Sequence, residues 1–375
     1  MLAKKTRKGV RHRRKPPTPR QQGAPTIADV AAQAGFSPMT VSRVINGEEN
    51  VRPRTREAIQ AAIADLNYSP NLAARSLAGA EQIRIGLLYS NPSSAYLSEF
   101  LVGSLEQSRL SHVQLVVEKC DENQHEGDVA HELLATGVDG IILPPPLCDS
   151  KRIHSTLINA GALAVAVASG RPPAGLSAVR IDDQVAAAAM TRHILSLGHQ
   201  RIGFIVGNPN QTASALRLAG FKSAMKEAGL VIDKSLIAQG LFTYRSGLEA
   251  AEQLLGSARP PTAIFASNDD MAAATVTAAH RRHLDVPKDL TVCGFDDTEF
   301  ARSMWPELTT IRQPIAEMSR TAVMLLVQNI RSRRAGKDEA CKQFLLNFTL
   351  VHRDSDGPPP SIQQLPSRTR TLSGS

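Results

Sequence analysis

Apolar residues follow two periods along this chain. Between residues 25 and 80 they recur at helical spacing in short stretches bounded by capping residues, with no strand-like alternation. From residue 83 they gather into runs of strand length: "IRIGLLY", "VQLVVE", "DGIIL", "ALAVAVA", "RIGFIV", "TAIFA" and "LTVCGF". Longer amphipathic segments separate them. Apolar at nearly every position and rich in Val and Ile, these runs predict parallel strands covered by helices on both faces. Such an α/β body would span about 270 residues, with more strands than one doubly wound sheet needs. Two similar lobes are therefore expected, meeting near "SAVRIDDQ".

The N-terminal helices are punctuated residue by residue. Thr26 can cap a helix whose third position is Asp29, and Ile27, Val30, Ala31 and Ala34 share one face before Gly35 ends it. Ser37 caps the next helix, Pro38 takes its first position, Val41, Val44 and Ile45 supply a buried stripe, and Asn46-Gly47 stops it. Two short helices joined by a turn that begins with Gly predict a helix-turn-helix. A third helix from Pro53 would bury Ile59, Ala62, Ile63 and Leu66 against them. In "NYSPNLAARSLAG", Ser69 and Pro70 start a further helix that Gly79 closes. At about nine residues it is shorter than an isolated helix needs to be stable in water, so it reads either as a linker helix or as one that forms on docking.

Charge divides the chain in the same place. The formal net charge is +8, and residues 1–80 hold 14 Lys/Arg against 5 Asp/Glu, which leaves the remainder near neutral. A polyanion-binding module joined to a body with a separate job is expected. Residues 1–24 carry nine Lys/Arg, three prolines and no acid, the composition of a disordered basic arm that serves either phosphate contact or solubility. The Pro/Ser-rich residues 356–375 read as a loose tail. Cys120, Cys148, Cys293 and Cys341 are widely spaced and form no C-x-x-C pair, so spacing suggests neither a disulfide framework nor a metal site. A reducing cytoplasm suits them, and no membrane span or secretory signal is recognisable.

A buried stripe accounts for half of the second helix. Its other face presents Pro38, Met39, Thr40, Ser42 and Arg43. Ser37, Thr40 and Ser42 can donate to phosphate oxygens, and Arg43 can reach a guanine edge with two hydrogen bonds. A three-helix module for protein contacts would not need the basic flank Arg52, Arg54 and Arg56.

Together "TIADVAAQAGFSPMTVSRVING", "RTREAIQAAIADLNYSPNLAARSLAG", "LGHQRIGFI", "ALRLAGF", "FASNDDMAAAT" and "VCGFDDTEFARSMWPELTTIRQP" resemble the lactose-repressor (LacI/GalR) family of bacterial transcription regulators, over about residues 26–354. The resemblance implies a dimeric, cytoplasmic repressor of palindromic operator DNA. Its fold would be an all-α helix-turn-helix domain plus an α/β two-lobed body similar to periplasmic sugar-binding proteins, with no cofactor and no catalytic residues. The implied organisation is arm 1–24, helix-turn-helix 25–68, hinge helix 69–81 and body 82–355. Within the body, residues 82–182 and 314–341 would form the N-lobe, and 183–313 and 342–355 the C-lobe. By the same resemblance Pro38, Met39 and Arg43 match base-reading positions, and Thr40, Ser42, Asn46 and Thr55 match phosphate contacts or their supports. Leu77 matches the wedge that enters the minor groove between base steps, with Tyr68, Asn71 and Ala74 as neighbouring contacts. One departure is that the first two reading positions, polar in the family's namesake, are Pro38 and Met39, which can read only thymine methyls or DNA shape.

A two-lobed α/β body holds its ligand beyond the carboxyl ends of its strands, and sugars need planar hydrogen-bonding groups with an aromatic face. The resemblance assigns Ser90, Tyr96 and Phe100 to the N-lobe side of that cleft. It assigns Arg217, Phe242, Asn268 and Asp296 to the C-lobe side and Gln313 to the crossover. Asp269 and Asp297 read as helix caps. A second departure is that "ALAVAVASG" lacks the acid the namesake places there; Ala166 takes its position, and Tyr96 narrows the pocket. A transporter's solute-binding protein would share the body but not the helix-turn-helix. Enzyme motifs are absent: there is no P-loop, no G-x-S-x-G, and "HELLA" lacks the second His of a zinc protease. Arg43→Ala is expected to cost about 1 to 3 kcal/mol of discrimination at one base pair, measured on a panel of single-base operator variants. A uniform loss on all sequences would make Arg43 a phosphate contact instead.

Overall fold

The computed structural model describes residues 25–45, 51–68, 82–90, 92–120, 125–337 and 340–360. The chain divides into two compact units, Met1–Gln82 and Ile83–Ser375. The expected basic arm, Asn46, the hinge helix with Asn71, Ala74 and Leu77, and the tail beyond residue 360 lie outside the described residues.

In the first unit α1 (Ile27–Ala34), α2 (Pro38–Ile45) and α3 (Pro53–Asp65) form where their caps place them. The Thr26 hydroxyl accepts from the Asp29 N–H while the Asp29 carboxylate accepts from the Thr26 N–H, a reciprocal capping box. Gly35 ends α1 in the left-handed region at φ 75°, a conformation that costs glycine no side-chain clash. Val30, Ala31, Val41, Val44, Ile59 and Ala62 close a small core, and Ile63, Leu66 and Tyr68 pack against its rim.

The second unit contains two six-stranded sheets. The N-lobe elements are β1 (Arg84–Tyr89), α4 (Ser94–Ser111), β2 (Gln114–Lys119), α5 (Glu126–Ala135), β3 (Gly140–Leu143), α6 (Lys151–Asn159), β4 (Leu163–Val167) and β5 (Ser177–Arg180). The C-lobe repeats the plan with α7 (Asp183–Ser196), β6 (Ile202–Val206), α8 (Thr212–Glu227), β7 (Ile237–Gln239), α9 (Tyr244–Leu255), β8 (Ala263–Ala266), α10 (Asp269–Arg281), β9 (Thr291–Asp296), α11 (Glu299–Ser303) and β10 (Thr309–Arg312). The chain then returns through α12 (Ile315–Arg334), β11 (Gln343–Leu345) and β12 (Thr349–Val351). The sheet orders are β11-β5-β4-β3-β1-β2 and β12-β10-β9-β8-β6-β7. Every pair is parallel except β10 with β12. Each lobe therefore reverses strand order beside its first strand, which opens a crevice at the carboxyl ends of its strands.

Two expected boundaries change. Residues 343–345 belong to the N-lobe sheet, not the C-lobe, because β11 extends the free edge of β5: Ala178 N–H donates to the Lys342 carbonyl at 2.9 Å and Leu346 N–H to the Arg180 carbonyl at 2.8 Å. The chain crosses back only between β11 and β12. The tail also starts later than residue 356, because Gly357 is fastened to the C-lobe. Its N–H donates to Thr291 Oγ1 at 3.0 Å, and its carbonyl accepts from His199 Nε2 at 2.8 Å.

The most closely packed helix pairs are α4 with α12 in the N-lobe and α7 with α8 in the C-lobe. Gly103 and Gly220 set these approaches. A methyl group at 103 would strike the Ala316 carbonyl and Ser319 Oγ, and one at 220 the Gln184 carbonyl. Backbone cannot yield as a side-chain tip can. Gly103→Ala and Gly220→Ala are each expected to destabilise the body by about 1 to 3 kcal/mol in urea unfolding, despite the better helix propensity of alanine.

Candidate effector cleft and DNA-reading helix

On α2 the residues expected to read DNA share the face turned from the core. Pro38, Met39 and Arg43 are exposed, Met39 at 65%, while Val41 and Val44 are buried beneath them. Ser37 is committed to the helix start: its hydroxyl accepts from Thr40 N–H at 3.2 Å and lies 2.9 Å from Thr40 Oγ1. Thr40 and Ser42 are half-buried, as is Thr55 in the first turn of α3.

In the body, the loops after the strands converge between the lobes. Pro92, Ser93, Tyr96, Pro145 and Ala168 line a cavity from the N-lobe. Gln211, Ala213, Arg217, Phe242, Asn268 and Asp296 line it from the C-lobe, with Gln313 at the crossover. The apex has a volume of about 30 Å³, room for water rather than for a sugar. Past Pro92 and Gln211 it continues into a chamber of about 520 Å³ lined by Ser90, Glu126, Asp149, Asn208 and Thr243. Contacts between the lobes draw the apex together. Asp149 accepts from Thr212 N–H at 2.7 Å and from its hydroxyl at 2.9 Å, while Ser93 Oγ donates to Asp270 Oδ2 at 2.7 Å.

Arg217 organises the apex. It is 5% exposed; its Nε donates to Asp183 Oδ1 at 2.8 Å and its Nη1 to the Ser267 carbonyl at 2.6 Å. Nη1 lies 3.7 Å from Asp296 Oδ1, and the guanidinium sits 3.6 Å from the centre of the Phe295 ring. Gln313 Nε2 donates to the same Asp296 oxygen at 2.6 Å. Burial pushes the Asp296 carboxyl well above its usual range and that of Asp183 upward, with Arg217 opposing both shifts. A carboxyl held toward its protonated form offers a ligand both a donor and an acceptor. Tyr96 Oη and Gln313 Oε1 are buried at the cavity without hydrogen-bond partners. Buried polar atoms seldom go unpaired, and among the described residues Ser108 Oγ and Asn329 Oδ1, away from this cavity, are the others. Backbone strain gathers here too, with Phe242, Asp296 and Asp297 at φ 61°, 119° and 59°.

Residues 26–71 match the family described as bacterial regulatory proteins, lacI family, and residues 191–355 match a periplasmic binding protein-like domain. The HTH-type transcriptional regulator DegA of Bacillus subtilis (strain 168) is 36% identical over 341 residues, covering 89% of this chain and 98% of its own. The chain belongs to the lacI family of bacterial regulatory proteins. Among solved structures, this LacI-family chain is similar to the transcriptional regulator CelR–cellobiose complex, at 30% identity and TM-score 0.67 over 88% of this chain and 99% of the other. It is also similar to the Lac repressor dimer bound to operator and the anti-inducer ONPF, at 29% identity and TM-score 0.72 over 89% and 100%. The LacI-family chain is thus a DNA-binding transcriptional regulator and not an enzyme. No helix among the described residues is long and apolar enough to cross a membrane.

Of the expected effector residues, the LacI-family cleft brings Tyr96, Arg217, Phe242, Asn268, Asp296 and Gln313 to its apex. Ser90 lines only the outer chamber. Phe100 is fully buried behind Tyr96, ring centres 6.4 Å apart, and backs the pocket from the core. Asn268 lines the apex with its amide committed: Oδ1 caps α10 at the Met271 N–H, and Nδ2 donates to the Phe242 carbonyl and Asp270. Asp269 and Asp297 are not caps. Asp297 is buried between Arg312 and Arg353, 2.6 Å from each, and Asp269 accepts from Thr298 and Thr310. Ala166 is core, and the acid at this edge is Asp149, from the loop after the neighbouring strand β3. Sequence reasoning also missed Gln211, although "GNPNQT" after β6 carries the same strand-end signal as "SNPSSAY" after β1.

Burial pushes the Asp269 carboxyl up to about 7 against the hydrogen bonds from Thr310 and Thr298. The unfolded chain releases this proton near pH 4 and the folded chain near pH 7. The associated stability is therefore complete below pH 4 and is lost as pH rises to about 7, a change on the order of a few kcal/mol. In urea unfolding of wild type and Asp269→Asn, the variant should gain on wild type steadily from pH 4 to pH 7.5.

Proposed function

We propose that this regulator represses carbohydrate-utilisation genes and that a sugar-like effector between the lobes changes its affinity for a palindromic operator. The observation that carries this reading is the apex itself: a buried Arg217 held among Asp183, Asp296 and Gln313, beside the unpartnered Tyr96 hydroxyl and the Phe242 ring. Paired polar groups with an aromatic wall suit a polyhydroxylated ring. The similarity to CelR, solved with cellobiose, supports a carbohydrate, and the similarity to the operator-bound Lac repressor dimer supports a homodimer on DNA. The cytoplasm is the compartment such a role requires.

In this reading Arg43, Pro38 and Met39 meet base edges, while Ser37, Thr40, Ser42, Asn46 and Thr55 hold phosphates or the groups that do. Tyr68, Asn71, Ala74 and Leu77 of the segment 69–81 and its flank serve the minor groove, and residues 1–24 add nonspecific attraction. The lobe contacts Asp149–Thr212 and Ser93–Asp270 stabilise the closed arrangement, and a ligand that spreads or reinforces them shifts the lobes. Only a ligand with different affinity for the two lobe arrangements can change operator binding.

A thermal-shift screen of a sugar library, followed by gel-shift titration on the upstream DNA, tests the reading; if every stabilising ligand leaves operator affinity unchanged, it is wrong. Tyr96→Phe gives the sharper outcome. Removing an unpartnered buried hydroxyl should leave the free protein as stable or more stable by up to about 1 kcal/mol, and should weaken effector binding roughly tenfold. Calorimetry and urea unfolding of the same variant read both effects.

A further inference from the structure

We propose that the C-lobe carries a divalent transition-metal site formed by His193, His352 and Asp356. His193 lies in the last turn of α7, His352 directly follows β12, and Asp356 lies four residues further along a strap that Ser355 and Gly357 fasten to the C-lobe. Their ligand atoms all fall within 4.8 Å of one another. His193 Nε2 is 2.6 Å from Asp356 Oδ2, and the two imidazoles meet edge to face with ring centres 4.4 Å apart. A four-coordinate ion with bonds of 2.0–2.2 Å needs donors roughly 3.3 Å apart. The His193–Asp356 pair must open slightly and the exposed His352 ring must swing inward, both of which are side-chain rotations.

An ion pair between His193 and Asp356 would explain those two residues alone. It leaves the convergence of His352 on the same point without a purpose, and the support behind the cluster exceeds what a surface pair needs. The second oxygen of Asp356 accepts from the Thr309 hydroxyl, which fixes the carboxylate plane as outer partners of metal ligands do. The strap is tied down on either side of Asp356, through Ser355 Oγ to the Val292 carbonyl at 2.6 Å and through Gly357 to Thr291 and His199. Arg353, next to His352, is turned away to Asp297 and the Leu308 carbonyl, so its charge does not face the cluster. Two imidazoles and one carboxylate, with the remaining position open to solvent at His352, suit Zn²⁺, Co²⁺ or Ni²⁺ rather than Mg²⁺ or Ca²⁺. The bound ion would clamp the C-terminal strap to α7, whose first turn carries the Asp183 that holds Arg217.

The test uses the full chain without an affinity tag, stripped with chelator and titrated with ZnCl₂ in a calorimeter, alongside thermal unfolding. One saturating Zn²⁺ per chain and a melting temperature that rises with Zn²⁺ are expected. His352→Gln changes an exposed side chain, so its far-UV spectrum and urea midpoint should match wild type while Zn²⁺ affinity falls at least about tenfold; Thr309→Ala should lose about 10- to 100-fold. Co²⁺ should give the visible absorption of a four-coordinate ion in wild type and not in His352→Gln. Zn²⁺ affinity unchanged in His352→Gln, or the lack of a saturating one-per-chain step, overturns the assignment.

Discussion

The burial of one guanidinium governs the effector body. Arg217 carries a full charge into a site that excludes nearly all water, which costs several kcal/mol unless its donors are occupied. Asp183, from the first turn of α7, takes one donor; the Ser267 carbonyl, at the end of β8, takes another; Asp296, at the end of β9, lies 3.7 Å from the guanidinium; and Phe295 offers its ring face. These groups come from a helix and two strand ends, so the charge can be satisfied only when the C-lobe is folded around it. The pocket is in this sense a by-product of solving Arg217. At the apex the Tyr96 hydroxyl and the Gln313 carbonyl oxygen stay unpaired among the described residues, and in the proposed reading a ligand completes them.

Two lobes of one plan, each with a glycine-set helix crossing and a crevice at its switch point, bring their loops face to face. Three passages of chain join them, after β5, before α12 and between β11 and β12. Gln313 sits on one of these passages and bonds to Asp296, so the cavity and the crossover share a hydrogen bond. The Asp149–Thr212 and Ser93–Asp270 contacts add polar links across the mouth. Such links exchange readily with water, which suits the lobe shift that the proposed coupling requires.

Much of this was legible in the sequence because the physical signals are local. The capping box at Thr26 and Asp29, the Pro38 helix start and the continuous apolar strands formed as their patterns required. The short strands "SAVR", "IAQ", "TTIR", "QFL" and "TLV" were not legible, since three or four residues carry no period and their hydrogen-bond partners are remote in sequence. That limit misplaced residues 342–345: β11 and β12 are separated by three residues yet join different sheets. Asp269 and Asp297 looked like caps because an acid before a helix reads the same whether it bonds its own helix or a distant strand. Family resemblance placed Phe100 at the cleft, and only packing shows that it faces the core. Family resemblance found most of the apex, but it could not supply Asp149 or Gln211, whose roles depend on how the lobes meet.

The proposed coupling between cleft and operator has a thermodynamic signature that no single-site measurement carries. With a sugar that stabilises the protein in hand, its dissociation constant can be measured by calorimetry on the free protein and on the operator complex, and operator affinity measured with and without saturating sugar. Linkage predicts that the two ratios are equal and differ from one, by about 5- to 150-fold for a typical allosteric coupling. A sugar affinity that is the same on free and operator-bound protein would contradict the account, however tightly the sugar binds.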